Sequence, residues 1–240
     1  VPGGRVAGVA GVAGGAGSGG RADDGQVPTG MQAKAELRAR LRAARRSRTP
    51  ADLARQGRLL AEVVATLPEL AAIPTGGWVS AYVSVGSEPP TGPLLDALVD
   101  AGVGVLLPVL LPDLDLDWAA YQGASRLALS AVAARSGLLE PTGPRMGPEA
   151  LSVAALVLVP CLAIGGGGIR LGQGGGSYDR ALHRVGSTVP TAGVVYDSEL
   201  LVQVPAEPHD RPVTMAVHPA GVVRFAAAAG GMDAGADGVQ

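Results

Sequence analysis

The 240-residue chain has one cysteine, one lysine among 19 basic residues and 3% aromatics. No apolar run approaches the roughly 18 residues of a membrane-spanning helix; the best stretch, Ala154 to Ile164, is broken by Pro160. A single cysteine, Cys161, excludes an internal disulfide framework and a cysteine-cluster zinc site. It reads as a small apolar filler at a strand end. No aromatic lies between residues 31 and 77, so the basic segment there has no ring on which to stack a base. A net charge of −2 and a pI near 5.9 exclude a polycation. No nucleic-acid or membrane partner is expected. What is present is 47% hydrophobic residues, enough for a sizeable core of Val, Leu and Ala. Lys34 stands out where arginine serves elsewhere, as a compact ammonium is not replaceable by a planar guanidinium.

The ends differ from the middle. Residues 1–30 are a Gly/Ala/Val-rich stretch holding 11 of the 37 glycines, and 226–240 are similar. Both are expected to be disordered tails, and the first has no secretory-signal pattern. Residues 31–225 are expected to form one folded domain. Within it, Gln32 to Arg48 predicts a basic helix. Thr49-Pro50-Ala51-Asp52 predicts a capped restart and a second helix to about Leu67. Strands are expected at Trp78–Val85, Gly104–Leu110, Ala154–Val159, Val189–Tyr196 and Val213–Val217, with an antiparallel edge strand at Leu116–Tyr121. Helices are expected at Pro93–Ala101 and Ser177–Val185. Strands alternating with helices predict a three-layer α/β/α fold with a mostly parallel, Rossmann-like sheet. Ligands in such sheets bind beyond the carboxyl ends of the strands.

The stretch from Val159 to Arg180 carries the chemistry. A buried strand ends at Pro160, eight of the twelve residues from Gly165 to Gly176 are glycine, and a helix follows. That arrangement presents backbone N–H groups to a phosphate. It is neither a Walker loop, lacking Gly-Lys-Ser/Thr, nor a clean dinucleotide fingerprint. Arg170 is a fixed cation for phosphate oxygens or a solvated surface charge. Asp179 is a one-carboxylate Mg²⁺ ligand or a partner of the helix dipole. Lys34 and Arg38, four residues apart, share one helix face.

Arg170-Leu171-Gly172, Gly174, Gly176, Tyr178 and Asp179 resemble the signature of the 5-formyltetrahydrofolate cyclo-ligases, also called 5,10-methenyltetrahydrofolate synthetases. Lys34-Ala-Glu-Leu-Arg38, Val83-Ser-Val-Gly-Ser-Glu88-Pro-Pro-Thr91 and Val204-Pro-Ala-Glu-Pro-His209-Asp210 resemble flanking elements of that family, so the resemblance spans about 31–217. Four positions depart from its pattern: Gly165 and Thr214 stand where it has Asp, Gln173 where a basic residue is frequent, and Ser177 where an aromatic is frequent.

The resemblance implies a ligase that uses ATP and Mg²⁺ to cyclise 5-formyltetrahydrofolate to 5,10-methenyltetrahydrofolate, acting as a cytoplasmic monomer. Lys34 and Arg170 would be catalytic. ATP would meet Lys34, Arg38, Arg170, Leu171, Gly172, Gly174, Gly175, Gly176 and Tyr178. The folate would meet Val83, Glu88, Gln173, Gly174, Gly175, Gly176 and Ser177, with Glu88 opposite the pterin's paired donors. Asp179 and Asp210 would hold the metal. The alternative is a non-catalytic folate- or nucleotide-binding member of the same fold. Read locally, Thr91 is simply a helix cap and Glu88 part of a helix start.

Overall fold

A computed structural model describes residues 30–207 and 210–226; the rest of the two expected tails, and His209, lie outside the described residues. Helix α1 (Gly30–Arg46) begins one residue earlier than the expected domain boundary. Helix α2 (Pro50–Ala65) starts as the sequence predicts. Thr49 Oγ1 accepts from the Asp52 N–H at 3.1 Å, and the Asp52 carboxylate accepts from the Thr49 N–H, closing a capping box. A short α3 (Pro68–Ala71) leads to β1 (Trp78–Ser80), α4 (Gly92–Asp100), β2 (Gly104–Leu110) and β3 (Leu116–Ala120). Next come β4 (Leu127–Leu129), β5 (Leu139–Pro141), β6 (Ala154–Pro160), β7 (Ala163–Ile164) and β8 (Arg170–Leu171). The chain closes with α5 (Ser177–Leu182), β9 (Thr191–Val194), β10 (Met215–His218) and β11 (Gly221–Arg224).

Seven strands form the main sheet in the order β11-β10-β9-β6-β1-β2-β3. The five inner strands are parallel and both edges are antiparallel, β3 as predicted and β11 as an addition. The period-2 alternation of β6 supplies both cores. Leu156 and Leu158 pack under α2 and α4 with Leu60, Leu94 and Val194, while Val157 and Val159 face α5 with Leu182, Trp118 and Ala216. This is the expected three-layer fold. Its second layer is thin, built from α5, a 3-10 turn at Pro148–Val153 and the small β7–β8 hairpin. Among the described residues no helix is long and apolar enough to cross a membrane.

Three expectations are corrected. The strand expected over Trp78–Val85 stops at Ser80, because the chain then bends out of the sheet. Thr91 causes the bend: its hydroxyl donates to Tyr82 O at 2.7 Å and accepts from the Ser84 N–H at 2.9 Å. Thr91 is therefore not the side-chain cap of α4. Helix α5 ends at Leu182, the chain to Val185 being turn.

Beyond β1 the crossover through α4 leads to β2 on one side, while β6 and the strands after it lie on the other. The order thus reverses between β1 and β6, and the segments leaving their carboxyl ends splay apart there.

Candidate functional site

A cavity of about 330 Å³ opens at that switch point. Its floor is the chain leaving β1 (Tyr82, Val83, Val85, Glu88) and Pro160 at the end of β6. One side is the run from Arg170 to Asp179, another the face of α1 bearing Lys34 and Arg38. Leu110 and Leu116 of the β2–β3 hairpin, with Leu138 and Leu139, form an apolar wall. Every residue assigned above to nucleotide, folate or metal, from Lys34 to Asp210, lines this cavity.

The cations are held in place. Lys34 is only 4% exposed; its Nζ lies 2.6 Å from Glu207 Oε2 and 2.7 Å from Asp210 Oδ2. Burial by itself lowers the lysine pKa, but the two carboxylates outweigh it and hold the ammonium above its ordinary value. Arg170 is not a solvated charge. It is 5% exposed on β8 and ion-paired with Asp179. Arg38 Nε donates to Gly172 O at 2.9 Å, one turn of α1 from Lys34. Arg42, a further turn on, donates to the side chain and the carbonyl of Gln173.

Only the second half of the glycine-rich stretch faces the cavity. Gly165–Gly168 form the far turn of the β7–β8 hairpin, and the turn Gly172–Gly176 lines the cavity. Gly174 (φ 106°) and Gly176 (φ 70°) hold left-handed backbone that a side chain resists. Gly165, where the family pattern has Asp, leaves no room for a side chain: a Cβ there would sit 2.7 Å from Val204 N. Thr214, the other such position, does not line the cavity. It exchanges hydrogen bonds with Thr191 at the start of β9 and β10. Gln173 takes the place of a loop cation and bridges Arg42 to Glu88, its Nε2 donating to Glu88 Oε1 at 3.3 Å.

Glu88 is fixed from its own turn, Oε2 accepting the Val85 N–H at 2.9 Å. Burial pushes its carboxyl above the usual range, with Val85 N–H, Arg45 and Gln173 pulling the other way. Cys161 is buried beside the floor and its thiol is pushed up to about 12 by burial, so it is no nucleophile at neutral pH.

The sequence reading missed Glu207, although a carboxylate three residues before Asp210 was a usable signal. It also missed the buried pair behind the floor. Arg45 (2% exposed) donates through Nε to Glu199 Oε1 at 2.7 Å and through Nη2 to Oε2 at 2.8 Å. These residues are 154 apart in sequence and no local pattern links them.

The model of the 5-formyltetrahydrofolate cyclo-ligase family matches residues 30–219. A protein named 5-formyltetrahydrofolate cyclo-ligase from Mycolicibacterium smegmatis is 44% identical over 150 residues, spanning 60% of this chain and 75% of its own. Another of that name from Escherichia coli K12 is 32% identical over 186 residues, spanning 76% of this chain and 98% of its own. The solution structure of Aquifex aeolicus 5,10-methenyltetrahydrofolate synthetase superposes with a TM-score of 0.62 at 26% identity, covering 80% of this chain and 92% of that one. A 5,10-methenyltetrahydrofolate synthetase from Mycoplasma pneumoniae gives 0.59 over 77% and 97%; at 16% identity it speaks for the fold alone.

Proposed function

The chain belongs to the 5-formyltetrahydrofolate cyclo-ligase family, and on that premise we propose that it closes 5-formyltetrahydrofolate to 5,10-methenyltetrahydrofolate, using ATP and Mg²⁺ and releasing ADP and phosphate. The observation that supports this reading is the convergence of Lys34, Arg38, Arg170 and Glu88 on one cavity from three separate stretches of chain.

ATP supplies the phosphoryl group that turns the formyl oxygen into a leaving group, which N10 of the same molecule then displaces, while Mg²⁺ offsets phosphate charge. The protein's part is to bind and orient. Lys34, Arg38 and Arg170 hold the triphosphate by charge-assisted hydrogen bonds, with the backbone of Gly174–Gly176 and Tyr178 alongside. Glu88 offers two acceptor oxygens to the two adjacent donors of a 2-aminopyrimidinone ring, which lies against Val83. Gln173 and Ser177 stand between the two ligands. The leucine wall keeps water from the activated carbon. Because the attacking amine belongs to the substrate, positioning alone lowers much of the barrier, and no nucleophile from the protein is required.

The donor set fits Mg²⁺. That ion takes one or two carboxylates and completes its shell with phosphate oxygens and water. Asp179 and Asp210 both face the cavity, and among the described residues no group of three His, Cys, Asp or Glu forms a metal cage. These carboxylates pair with Arg170 and Lys34. Asp179 and Asp210 would hold the metal, which would offset phosphate charge, and Lys34 and Arg170 would then be left to the phosphate oxygens. We read the enzyme as a cytoplasmic monomer, to be checked by fractionation and by its mass in solution.

The test is the absorbance of the methenyl product. Purified protein with 5-formyltetrahydrofolate should generate it only when Mg²⁺ and ATP are both present. No absorbance change with both added overturns the assignment.

A further inference from the structure

We propose that Tyr196, seated on the buried Arg45–Glu199 pair, is a positioning residue for Glu88 and so sets affinity for the pteridine head; this rests on the function proposed above, in which Glu88 meets that ring. The chain of contacts is continuous. Glu199 Oε2, besides taking Arg45 Nη2, accepts the Tyr196 N–H at 2.9 Å. The Tyr196 hydroxyl donates to the carbonyls of Glu88 at 3.1 Å and Ser87 at 3.2 Å. Its ring face is covered by Arg48, whose guanidinium carbon lies 3.6 Å from the ring centroid.

The turn carrying Glu88 is a unit closed on itself. The Glu88 N–H donates to Val85 O at 3.1 Å, and the Glu88 side chain takes the Val85 N–H. The Tyr196 hydroxyl reaches this unit from the chain leaving β9, the strand on the far side of β6. Arg45 makes the same connection to the other part of the floor. Its Nη2 donates to Cys161 O at 2.5 Å, directly after the cavity-lining Pro160. One ion pair, 2% and 3% exposed, therefore references the two strand ends of the cavity floor to each other. A buried pair adds little net stability over apolar residues, so fixing geometry is the more natural use of it. The hydroxyl is separable from this core, since the ring packing and the Tyr196 N–H bond need only a phenyl group at that position.

The experiment measures calorimetric affinities for 5-formyltetrahydrofolate and for Mg²⁺ with a non-hydrolysable ATP analogue in the full chain. The variants are Tyr196→Phe, Glu88→Ala and both together, each first checked for cooperative unfolding. Tyr196→Phe should weaken folate binding about three- to tenfold, the equivalent of one hydrogen bond, and leave nucleotide affinity within twofold. Its effect should vanish in the Glu88→Ala background, since the hydroxyl acts through that residue. Unchanged folate affinity, an equal loss for nucleotide, or a loss that persists without Glu88 each overturns the proposal. A wild-type chain that binds no 5-formyltetrahydrofolate overturns instead the function on which it rests.

Discussion

Replacing Lys34 by Met tests the phosphate site with the least disturbance of shape. The ammonium is buried on α1 and bridges Glu207 at 2.6 Å and Asp210 at 2.7 Å. In the proposed complex it turns to a phosphate oxygen. A hydrogen bond to a charged group contributes roughly 1.5–3 kcal/mol, so its loss alone weakens nucleotide binding about 10- to 150-fold. The variant also leaves two carboxylates facing the triphosphate without this cation, which pushes the loss towards the upper end, on the order of a hundredfold. The fold should suffer much less. Glu207 and Asp210 keep 31% and 10% side-chain exposure, so water screens what remains and the cost to stability stays below about 2 kcal/mol. Titration calorimetry with Mg²⁺ and a non-hydrolysable ATP analogue reads the first quantity, and chemical denaturation the second. Lys34→Arg should fall between wild type and Met, because it keeps charge without the compact shape. An affinity for Lys34→Met within twofold of wild type refutes the reasoning.

Further outcomes are expected. Glu88→Gln should weaken folate binding yet raise the thermal midpoint at neutral pH. A carboxyl whose folded pKa is raised costs stability that is absent below the unfolded pKa, accumulates as pH rises from there, and is complete above the folded pKa. For the same reason wild-type folate affinity should begin to fall on acidification while pH is still above the ordinary glutamate range; a profile breaking only within that range contradicts the raised pKa. Glu199→Gln should lower stability by about 3–5 kcal/mol, read as a shifted urea midpoint, because it strands the buried Arg45 charge. Asp179→Asn should raise the Mg²⁺ concentration needed for half-maximal product formation, and an unchanged requirement removes Asp179 from the metal site. Thr49→Ala should cost about 1 kcal/mol through loss of the α2 cap, without altering either ligand affinity.

Local chemistry made part of this legible in advance. The Thr49 capping box, the apolar runs that became β2 and β6, and the Arg-Leu-Gly-x-Gly-x-Gly stretch all announce themselves over a few residues, and the cavity assembles from such pieces. What escaped depends on contacts distant in sequence. Whether Arg170 is solvent-exposed or buried is decided by Asp179 and the β7–β8 pairing rather than by its glycine neighbours. Arg45 lies on the same basic helix as Arg42, yet one is buried against Glu199 and the other exposed beside Gln173. Hydrophobic periodicity does not separate two arginines. β4, β5, β7, β8 and β11 have two to four residues each, too short for an alternation to register. Thr91 reads as a cap because caps are the commonest use of a threonine before a helix, but its hydroxyl is taken by Tyr82 and Ser84.

The most direct measurement is a crystal structure of the chain with 5-formyltetrahydrofolate, Mg²⁺ and a non-hydrolysable ATP analogue. It should place the terminal phosphate between Lys34 and Arg170, with the pteridine against Glu88 in the same cavity. Phosphates bound elsewhere, with Lys34 still paired to Glu207 and Asp210 and Arg170 to Asp179, would contradict it.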